Sequence, residues 1–555
     1  MNSYTNEKRE FILTVITPSL IFFSGFYRFI QYHDYGLLEP EVILCFAAIG
    51  LAGSLIGLLL ASAGATNLRA MGFALLLFIF FDIEFELIEK INNFITIQSN
   101  ILLRYGTLVV LLFVAQLAIM GLRKHLATIL ATIFATMLIT TATFPGTKVH
   151  FGPQPVYANA ATTLDAPPVI HLILDGHIGI EGIPRDIQGG EEVRDLLIDF
   201  YERWGFRLYG RAYSKYILTY DSVSNLLNGV LSKTGGQMTT VTSQHGKPGW
   251  KPVDNKLFKQ FSDSGYMIRV YQTDYLDYCQ DSIKAIEYCY RYSSSSPIML
   301  KPLDMSATEK AELILGSYFA ENSYFRISHK LYGYISSVLP PGIPFKWTRK
   351  NYQFSSLGAP AAISQLKSDI IKEPRGKLFF AHLLLPHGPY IWDSNCQIRK
   401  DSDTWLSRRT NHEDMLSLSN ESYRNTAYKY YFQQIECTVS LLDDLLQTLD
   451  NRKILEDATI IIHGDHGSRI TIADPVMPMM DHLENRDYID SFSTLFAIRS
   501  STIAPGYDDN QIAVQSLFSE LVLKGNKIID DSSVYLLTGP LIQKRPLEVV
   551  PIPLF

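Results

Sequence analysis

Hydrophobic residues along this chain follow two different patterns, one before about residue 146 and one after it. The first part contains five long apolar stretches, at 11–29, 41–65, 70–88, 101–122 and 126–144. Each is close to the roughly 20 residues that a membrane-spanning helix needs. After about residue 161 the pattern changes to short apolar runs separated by longer amphipathic ones. The chain is therefore predicted to have an α-helical transmembrane domain with five spans, followed by an α/β domain.

The α/β domain is predicted to have a mostly parallel sheet, because several of its strands are apolar on both faces. The predicted strands are 169–174, 206–213, 267–271, 378–385, 458–462 and 492–498, and the predicted helices are 191–204, 254–264 and 425–449. The segment 293–354 fits neither pattern. It is interpreted as an insertion that meets the membrane or the substrate.

The third apolar stretch decides the membrane topology, because Asp82, Glu84 and Glu86 interrupt its second half and charge in hydrocarbon is costly. With five spans, the positively charged loops fall on the cytoplasmic side and the acidic loops on the other side, as the positive-inside rule expects. Four spans do not agree with these charges. The sequence thus predicts a multi-pass plasma-membrane protein with a transmembrane domain at 1–146, a linker at 147–166 and an extracytoplasmic domain at 167–555.

Composition narrows the class of protein further. The 555 residues are 47% hydrophobic and only 19% charged, with a net charge of -6. Without a basic excess, a nucleic-acid partner is not expected. Four of the five cysteines, at positions 279, 289, 396 and 437, lie in the second part. Pairing 279 with 289 and 396 with 437 is one of three possible connectivities, and four free thiols are the alternative.

Candidate metal ligands follow two of the predicted strands. Asp175 comes directly after 169–174, and Asp465 with His466 follows 458–462 and Gly464. In open α/β sheets functional groups gather at the carboxyl ends of strands. One carboxylate plus a carboxylate and a histidine suit Zn²⁺ or Mn²⁺.

Thr219 is the candidate nucleophile. It lies in the sequence 219–229, which is predicted to open a short helix. A hydroxyl there faces the partial positive charge of a helix N-terminus, which favours an attacking alkoxide and a phosphoryl group. A bound metal ion would lower its pKa further. The alternative is that the hydroxyl merely caps the helix.

These motifs, in this order and together with Leu-Pro-His-Gly-Pro-Tyr at 385–390, resemble the alkaline phosphatase superfamily in its sulfatase-like branch. Five helices before an extracytoplasmic domain resemble lipoteichoic acid synthases and lipid A phosphoethanolamine transferases. The resemblance implies that Asp175, Thr219, Asp465 and His466 hold the metal ion and that Thr219 is the nucleophile. It also implies that His387, and His482 as a second candidate, bind the substrate phosphate.

Other histidines have different expected roles. His171, His382 and His463 lie in or beside predicted strands and are interpreted as core residues, whereas His177 is close to Asp175. Two features depart from the family pattern. No Cys or Ser followed by x-Pro-x-Arg surrounds the cysteines of the second part, which argues against sulfate-ester hydrolysis, and Asp175 replaces the glutamate that is usual in the transferases.

The resemblance implies a membrane-anchored transferase that moves a phosphoethanolamine or phosphoglycerol head group from a phospholipid donor to a surface glycan or lipid acceptor. A phospho-threonine would be the intermediate. The alternatives are a phosphoester hydrolase, in which water resolves the same intermediate, and a non-catalytic scaffold of the cell envelope. Sequence leaves donor, acceptor and metal identity open.

Overall fold

The structure is a computed structural model. It describes residues 2–63, 66–85, 125–144, 152–155, 165–232, 238–242, 248–279, 285–294, 296–320, 354–400, 405, 421–471, 475, 477–523, 531–537 and 547–554. The chain divides into two compact units. The first comprises Met1–His150 and Ser296–Tyr352, and the second comprises Phe151–Ser295 and Gln353–Phe555.

Four helices from the N-terminal part form the described core of the first unit: α1 (Asn2–Tyr32), α2 (Pro40–Ser62), α3 (Thr66–Phe85) and α4 (Leu126–Thr143). Among the described residues, 7–32, 40–62 and 126–143 are long and apolar enough to cross a membrane, which indicates a membrane anchor. The predicted third span corresponds to α3, which carries Asp82 and Glu84 and is not among those three helices. The predicted fourth span, 101–122, lies outside the described residues.

Small residues allow α1 and α2 to pack closely. A Cβ atom on Gly57 would lie 2.2 Å from the carbonyl oxygen of Val15, and one on Gly53 would lie 2.5 Å from the hydroxyl of Ser19. The spacing of these glycines is the small-xxx-small pattern that brings membrane helices together. The opposite face of α2 leaves Leu51 and Leu59 exposed, as expected of a surface that meets lipid.

The second unit is built on a nine-stranded sheet in the order β1-β8-β7-β9-β2-β10-β11-β3-β12. The central strands β8, β7, β9, β2 and β10 are parallel, whereas β1 and β11 run antiparallel to their neighbours. The strands are β1 (Gly152–Pro155), β2 (Val169–Leu174), β3 (Arg207–Tyr209), β7 (Met267–Thr273), β8 (Ile286–Tyr292), β9 (Lys377–Leu383), β10 (Thr459–Gly464), β11 (Phe496–Arg499) and β12 (Gly506–Asp508). This arrangement confirms the predicted mostly parallel sheet.

Among the described residues, three two-stranded sheets accompany the large one. They pair β4 (Ala212–Tyr213) with β13 (Ile512–Ala513), β5 (Met238–Thr242) with β6 (Pro248–Pro252), and β14 (Ser533–Leu537) with β15 (Leu547–Pro551). The segment 206–213, predicted as one strand, is divided by a turn into β3 and β4. The segment 492–498 is likewise shorter than predicted, because Phe492 ends a helix and the strand begins at Phe496.

Helices cover both faces of the sheet. Eight belong to the described residues after 189: α5 (Gly190–Arg203), α6 (Thr219–Asn228), α7 (Lys256–Asp263), α8 (Ala307–Ala320), α9 (Ala359–Lys372), α10 (Glu421–Asn451), α11 (Asn485–Phe492) and α12 (Val514–Leu521). Helix α8 belongs to the first unit. Helices α6, α7 and α12 share a buried cluster with one face of the sheet, and α9 packs on β7, β8 and β9 from the other face.

Two disulfides lie in the second unit. Cys279 pairs with Cys289 and Cys396 pairs with Cys437, which is the connectivity considered from the sequence. Cys45 in α2 is a buried free cysteine.

Candidate active site

The candidate site lies where β2, β10 and β9 end side by side. Leu174 at the end of β2 pairs with Gly464 on one side and with Leu383 on the other. Asp175 and Asp465 each come directly after these paired positions, so the parallel register brings their carboxylates to the same edge of the sheet. This is the arrangement that the sequence predicted from its two strand-Asp motifs.

Glycines allow the chain to turn at this edge. Gly176 has a φ of +69°, a backbone conformation that favours glycine, and its N–H donates to Asp465 Oδ1 at 2.9 Å. Gly467 lies against the backbone of α11, where a Cβ atom would be 2.1 Å from the carbonyl oxygen of Asp490. Both turns therefore fix the positions of Asp465 and His466.

Four side chains that the sequence singled out converge here. Thr219 Oγ1 lies 3.5 Å from Asp175 Oδ2 and 3.4 Å from His466 Nε2. His466 Nε2 in turn lies 3.5 Å from Asp175 Oδ1 and 3.4 Å from Asp465 Oδ2. Helix α6 begins at Thr219 and is ten residues long, so the hydroxyl stands at the positive end of a helix dipole.

The protonation of His466 is set by the backbone. Its Nδ1 donates to the carbonyl oxygen of Gly467 at 2.7 Å, which leaves Nε2 free of a proton and directed at the two carboxylates. Burial, with the nearby Arg469, holds the pKa of His466 well below its ordinary value. A neutral imidazole with a fixed tautomer is the form that binds a metal ion.

The two buried carboxylates have opposite pKa shifts. Burial, together with the charge of Asp175, raises the pKa of Asp465 to about 7. Burial alone would raise the pKa of Asp175 as well, but His387, His382 and His466 hold it below its usual range. Two like charges this close favour either a shared proton or a bound cation.

Unused acceptor atoms show that the residues fit a metal ion. Among the described residues, neither Asp175 Oδ1 nor Asp465 Oδ2 accepts a hydrogen bond, although both are buried. One ligand atom each from Asp175, His382 and Asp465 lies within 4.8 Å of the others. Oxygen and imidazole ligands of this kind suit Zn²⁺ or Mn²⁺. The structure thus offers a buried site that could hold a divalent metal ion.

His382 is the residue whose place in the site the sequence reasoning missed. It is fully buried in β9, as a core histidine would be, but its Nε2 lies 3.2 Å from Asp175 Oδ2. A histidine within an apolar strand gives no local sign of the neighbouring carboxylate, because that contact depends on the pairing of β9 with β2. The signal available was its position five residues before His387 in a strand that leads into the Pro-His-Gly-Pro loop.

His387 lies at the edge of the cluster, with Nε2 3.9 Å from Asp175 Oδ1. Gln434 of α10 holds this loop. Its amide group donates to the carbonyl oxygens of Pro386 and His387, both at 2.9 Å, and its oxygen accepts from the N–H of Ile391 at 2.9 Å. His387 is about a quarter exposed, whereas the residues around it in the cluster are buried. It is therefore the histidine placed to meet a molecule entering from solvent.

The remaining histidines lie elsewhere. His171 and His463 form a buried pair with their Nε2 atoms 2.8 Å apart, and His177 Nδ1 bonds to the carbonyl oxygen of Ile178. His482 is exposed at the end of a short 3-10 helix, and no contact recorded among the described residues joins it to the cluster. Its predicted role in phosphate binding stays a prediction.

Comparisons with known proteins give only distant matches. No family model matches the chain, and the search of curated proteins found no match. Among solved structures, the chain is similar to a phosphonate monoester hydrolase of Agrobacterium radiobacter, with 11% identity, 67% of this chain and 80% of that chain covered, and a TM-score of 0.37. It is similar to a putative sulfatase from Bacteroides fragilis, with 14% identity, 68% and 78% covered, and a TM-score of 0.36.

A third similar structure is the C-terminal periplasmic domain of EcEptC from Escherichia coli, in complex with Zn, with 9% identity, 72% and 96% covered, and a TM-score of 0.37. All three structures are distant from this chain, with identities of 9% to 14% and TM-scores of 0.36 to 0.37.

Proposed function

We propose that this chain is a membrane-anchored, metal-dependent phosphotransferase. It takes a phosphoryl-linked head group, phosphoethanolamine or phosphoglycerol, from a membrane phospholipid and transfers it to a surface glycan or lipid. The observation that carries the proposal is the position of the Thr219 hydroxyl, within 3.5 Å of both Asp175 and His466 at the start of α6.

Thr219 Oγ attacks the phosphorus of the donor phosphodiester. A bond forms between Oγ and phosphorus, the bond from phosphorus to the lipid glycerol oxygen breaks, and diacylglycerol leaves. The hydroxyl of the acceptor then attacks the phospho-threonine, takes the head group and returns Thr219 to its free form. Two half-reactions of this kind give ping-pong kinetics.

Each neighbour of Thr219 has a proposed role. Asp175, Asp465 and His466, with His382 as a further ligand, would hold a divalent metal ion beside the hydroxyl. Such an ion would favour the alkoxide over the alcohol and stabilise charge on the phosphoryl oxygens. His387, at the more exposed edge of the cluster, binds the phosphoryl oxygens of the donor. The N-terminus of α6 adds its dipole to the same group.

The proposed membrane topology has five spans. Glu84 near the end of α3 bonds to Arg28 near the end of α1, so these two helices end on the same side. Helix α4 begins beside the first half of α1, where Thr128 bonds to Glu10 and Thr17 lies 3.3 Å from the carbonyl oxygen of Ala127. Helix α3 thus ends on the side opposite to the start of α4, which supports the proposed span at 101–122.

With an odd number of spans, the chain after α4 emerges on the side opposite to its N-terminus. The loop charges place that side outside the cytoplasm. We therefore propose that the second unit, with its candidate site, is extracytoplasmic. The domain limits expected from the sequence, 1–146 and 167–555 with a linker between them, belong to this same proposal.

The test is turnover in liposomes that contain a labelled phospholipid, with and without an acceptor glycolipid. We expect the purified chain to release diacylglycerol and to label the acceptor, and Thr219→Ala to do neither. Thr448→Ala makes the same change at a partly exposed position of α10 and should leave turnover intact. Diacylglycerol release that does not depend on an acceptor would indicate that the protein is a hydrolase and not a transferase. If the protein binds no stoichiometric metal and shows no turnover, the remaining interpretation is a non-catalytic scaffold.

A further inference from the structure

The segment 293–354, which fitted no pattern in the sequence, joins the first unit in the structure. The chain leaves the sheet-containing unit after Ser295, and Ser296–Tyr352 belongs to the compact unit of the membrane helices before the chain returns at Gln353. The chain consequently passes between the two units three times, and not once through a single linker. Residues 296–320 of this segment are described, and we call them the docking segment.

The start of the docking segment is bonded to the loop that joins α1 to α2. The Tyr35 hydroxyl donates to the carbonyl oxygen of Pro297 at 2.6 Å, and His33 Nδ1 lies 2.7 Å from Ser296 Oγ. The ammonium group of Lys301 lies 4.7 Å from the centre of the Tyr35 ring. His33, Tyr35 and Ser296 are buried, so water does not compete for these bonds.

Helix α8 of the docking segment continues along the membrane helices. Cys45 Sγ of α2 lies 3.4 Å from the carbonyl oxygen of Ala311. Further on, the ring of Tyr318 packs against Phe26 and Phe29 of α1, with ring centres 5.4 Å and 5.2 Å apart. These contacts run in order from the end of α1 towards its middle.

The last of these contacts sets the depth of α8. Phe319 packs against Phe22, with ring centres 6.4 Å apart, and Phe22 is ten residues before the end of α1 at Tyr32. At about 1.5 Å per residue, ten helical residues span about 15 Å. That is about half of the roughly 30 Å thickness of the hydrocarbon layer. If α1 spans the bilayer, the end of α8 lies well inside it.

The residue pattern of α8 agrees with this depth. Its charged residues, Glu309, Lys310 and Glu312, lie in the first six positions, and the remaining residues, 313–320, carry no charge. Lys310 bonds through its ammonium group to the carbonyl oxygen of Lys301, which satisfies the buried charge at the point of entry. A helix that is charged where it enters and uncharged where it ends suits a segment that enters one leaflet of the membrane.

We propose that the docking segment is a membrane-embedded arm of the extracytoplasmic unit. Helix α8 enters the outer leaflet beside α1 and α2, and it holds the second unit to the membrane domain independently of the chain between α4 and β1. The docking segment therefore binds helices α1 and α2 of the same chain. The proposal concerns attachment alone, so it can fail while the proposed transferase activity stands.

The first test cuts the chain between the units. A protease site is placed between Phe144 and β1 in the full-length protein, and membranes are cleaved, washed with high salt and sedimented. We expect the fragment that begins with β1 to sediment with the membranes. Release of this fragment from the otherwise unchanged protein would overturn the proposal.

Matched variants of the cleavable protein test the contacts themselves. Lys301→Glu places a carboxylate where the ammonium group now lies 2.8 Å from Glu39, and Tyr318→Ala removes the ring from between the phenylalanines of α1. The double variant should release the fragment, and Asp304→Ala, at an exposed position of the same segment, should not. The proposal would also be overturned if the fragment of the double variant stayed with the membranes as completely as the fragment of the unchanged protein.

A crosslink gives a readout that does not depend on a destabilised variant. Ala311→Cys introduces a thiol beside Cys45, the only cysteine of the chain outside the two disulfides. After mild oxidation and cleavage, we expect the two fragments to run as one band on a non-reducing gel and as two after reduction. The same chain with Cys45→Ser is the control. Two separate bands without reduction would count against the docked position of α8.

Discussion

Replacing Asp465 by Asn should have opposite effects on the metal-free and the metal-loaded protein. Asp465 Oδ1 accepts hydrogen bonds from the N–H groups of Gly176 at 2.9 Å and His466 at 3.0 Å. The amide oxygen of asparagine can accept both. Its NH₂ group would take the place of Oδ2, which accepts no hydrogen bond among the described residues and faces Asp175 through His466. The substitution therefore removes one negative charge and preserves the local hydrogen bonds.

The size of the effect follows from the separation of the two carboxylates. Ligand atoms of Asp175 and Asp465 lie within 4.8 Å of each other. Two like charges at that distance repel by about 3.5 kcal/mol at an effective dielectric constant of about 20. Without metal and above pH 7, where both groups are ionised, Asp465→Asn should raise the free energy of unfolding by up to about that amount.

The effect should depend on pH with a defined sign. The pKa of Asp465 is raised to about 7 in the folded chain, above its ordinary value. Between about pH 4 and pH 7 the folded state therefore binds one more proton than the unfolded state, and the stability of the metal-free wild type falls as pH rises. The free energy of unfolding of the metal-free Asn variant should exceed that of the metal-free wild type only slightly near pH 4, and the difference should grow until about pH 7.

The assay is thermal unfolding of the detergent-solubilised full chain, after chelation and after addition of Zn²⁺ or Mn²⁺. Saturating metal should stabilise the wild type, by about 2.7 kcal/mol at 100 times its dissociation constant, and should stabilise the variant much less. The reasoning would be refuted if the metal-free variant were less stable than the metal-free wild type. It would also be refuted if metal stabilised the variant as much as it stabilises the wild type.

Three further changes test other parts of the account. His382→Gln should weaken metal binding about 10–100-fold, measured by chelator competition, while unfolding without metal changes little; unchanged affinity would exclude His382 from the site. Gly57→Val should lower stability by about 1–3 kcal/mol, because a Cβ atom there would lie 2.2 Å from a backbone oxygen of α1, whereas exposed Leu58→Val should not. Burial would raise the pKa of Glu181, but hydrogen bonds from Arg194 and Tyr507 lower it below its ordinary value. Glu181→Gln should therefore lower the free energy of unfolding by about 1.5 kcal/mol at pH 7 and by progressively less below about pH 4. A cost that is independent of pH would contradict that assignment.

The sequence predicted those parts of the site that depend on local pattern. Asp175 and Asp465 follow continuous apolar runs, and such runs are typical of buried parallel strands whose carboxyl ends meet. Their closeness in the structure needs only that β2 and β10 be neighbours. Thr219 could be found in the same way, because it opens a helix within a recognisable motif.

Other features depend mainly on contacts between distant segments of the chain. His382 has the burial of any core histidine, and only the pairing of β9 with β2 brings it to Asp175. The docking segment is similar: α8 is mixed in polarity, and its position follows from bonds to residues about 260 positions earlier. The sequence likewise did not predict the antiparallel direction of β11, because the hydrophobic pattern of a strand does not indicate its direction.

The central claim is that Thr219 carries the transferred group, and peptide mass analysis tests it most directly. The metal-loaded chain is incubated with a mixed phospholipid bilayer without acceptor, quenched in acid and digested, beside Thr219→Ala and Thr448→Ala. The account predicts an adduct on the peptide that contains Thr219 in the unchanged chain and in Thr448→Ala, with a mass that names the head group. Consumption of donor by Thr219→Ala at an unchanged rate, or an adduct on a different peptide, would contradict it.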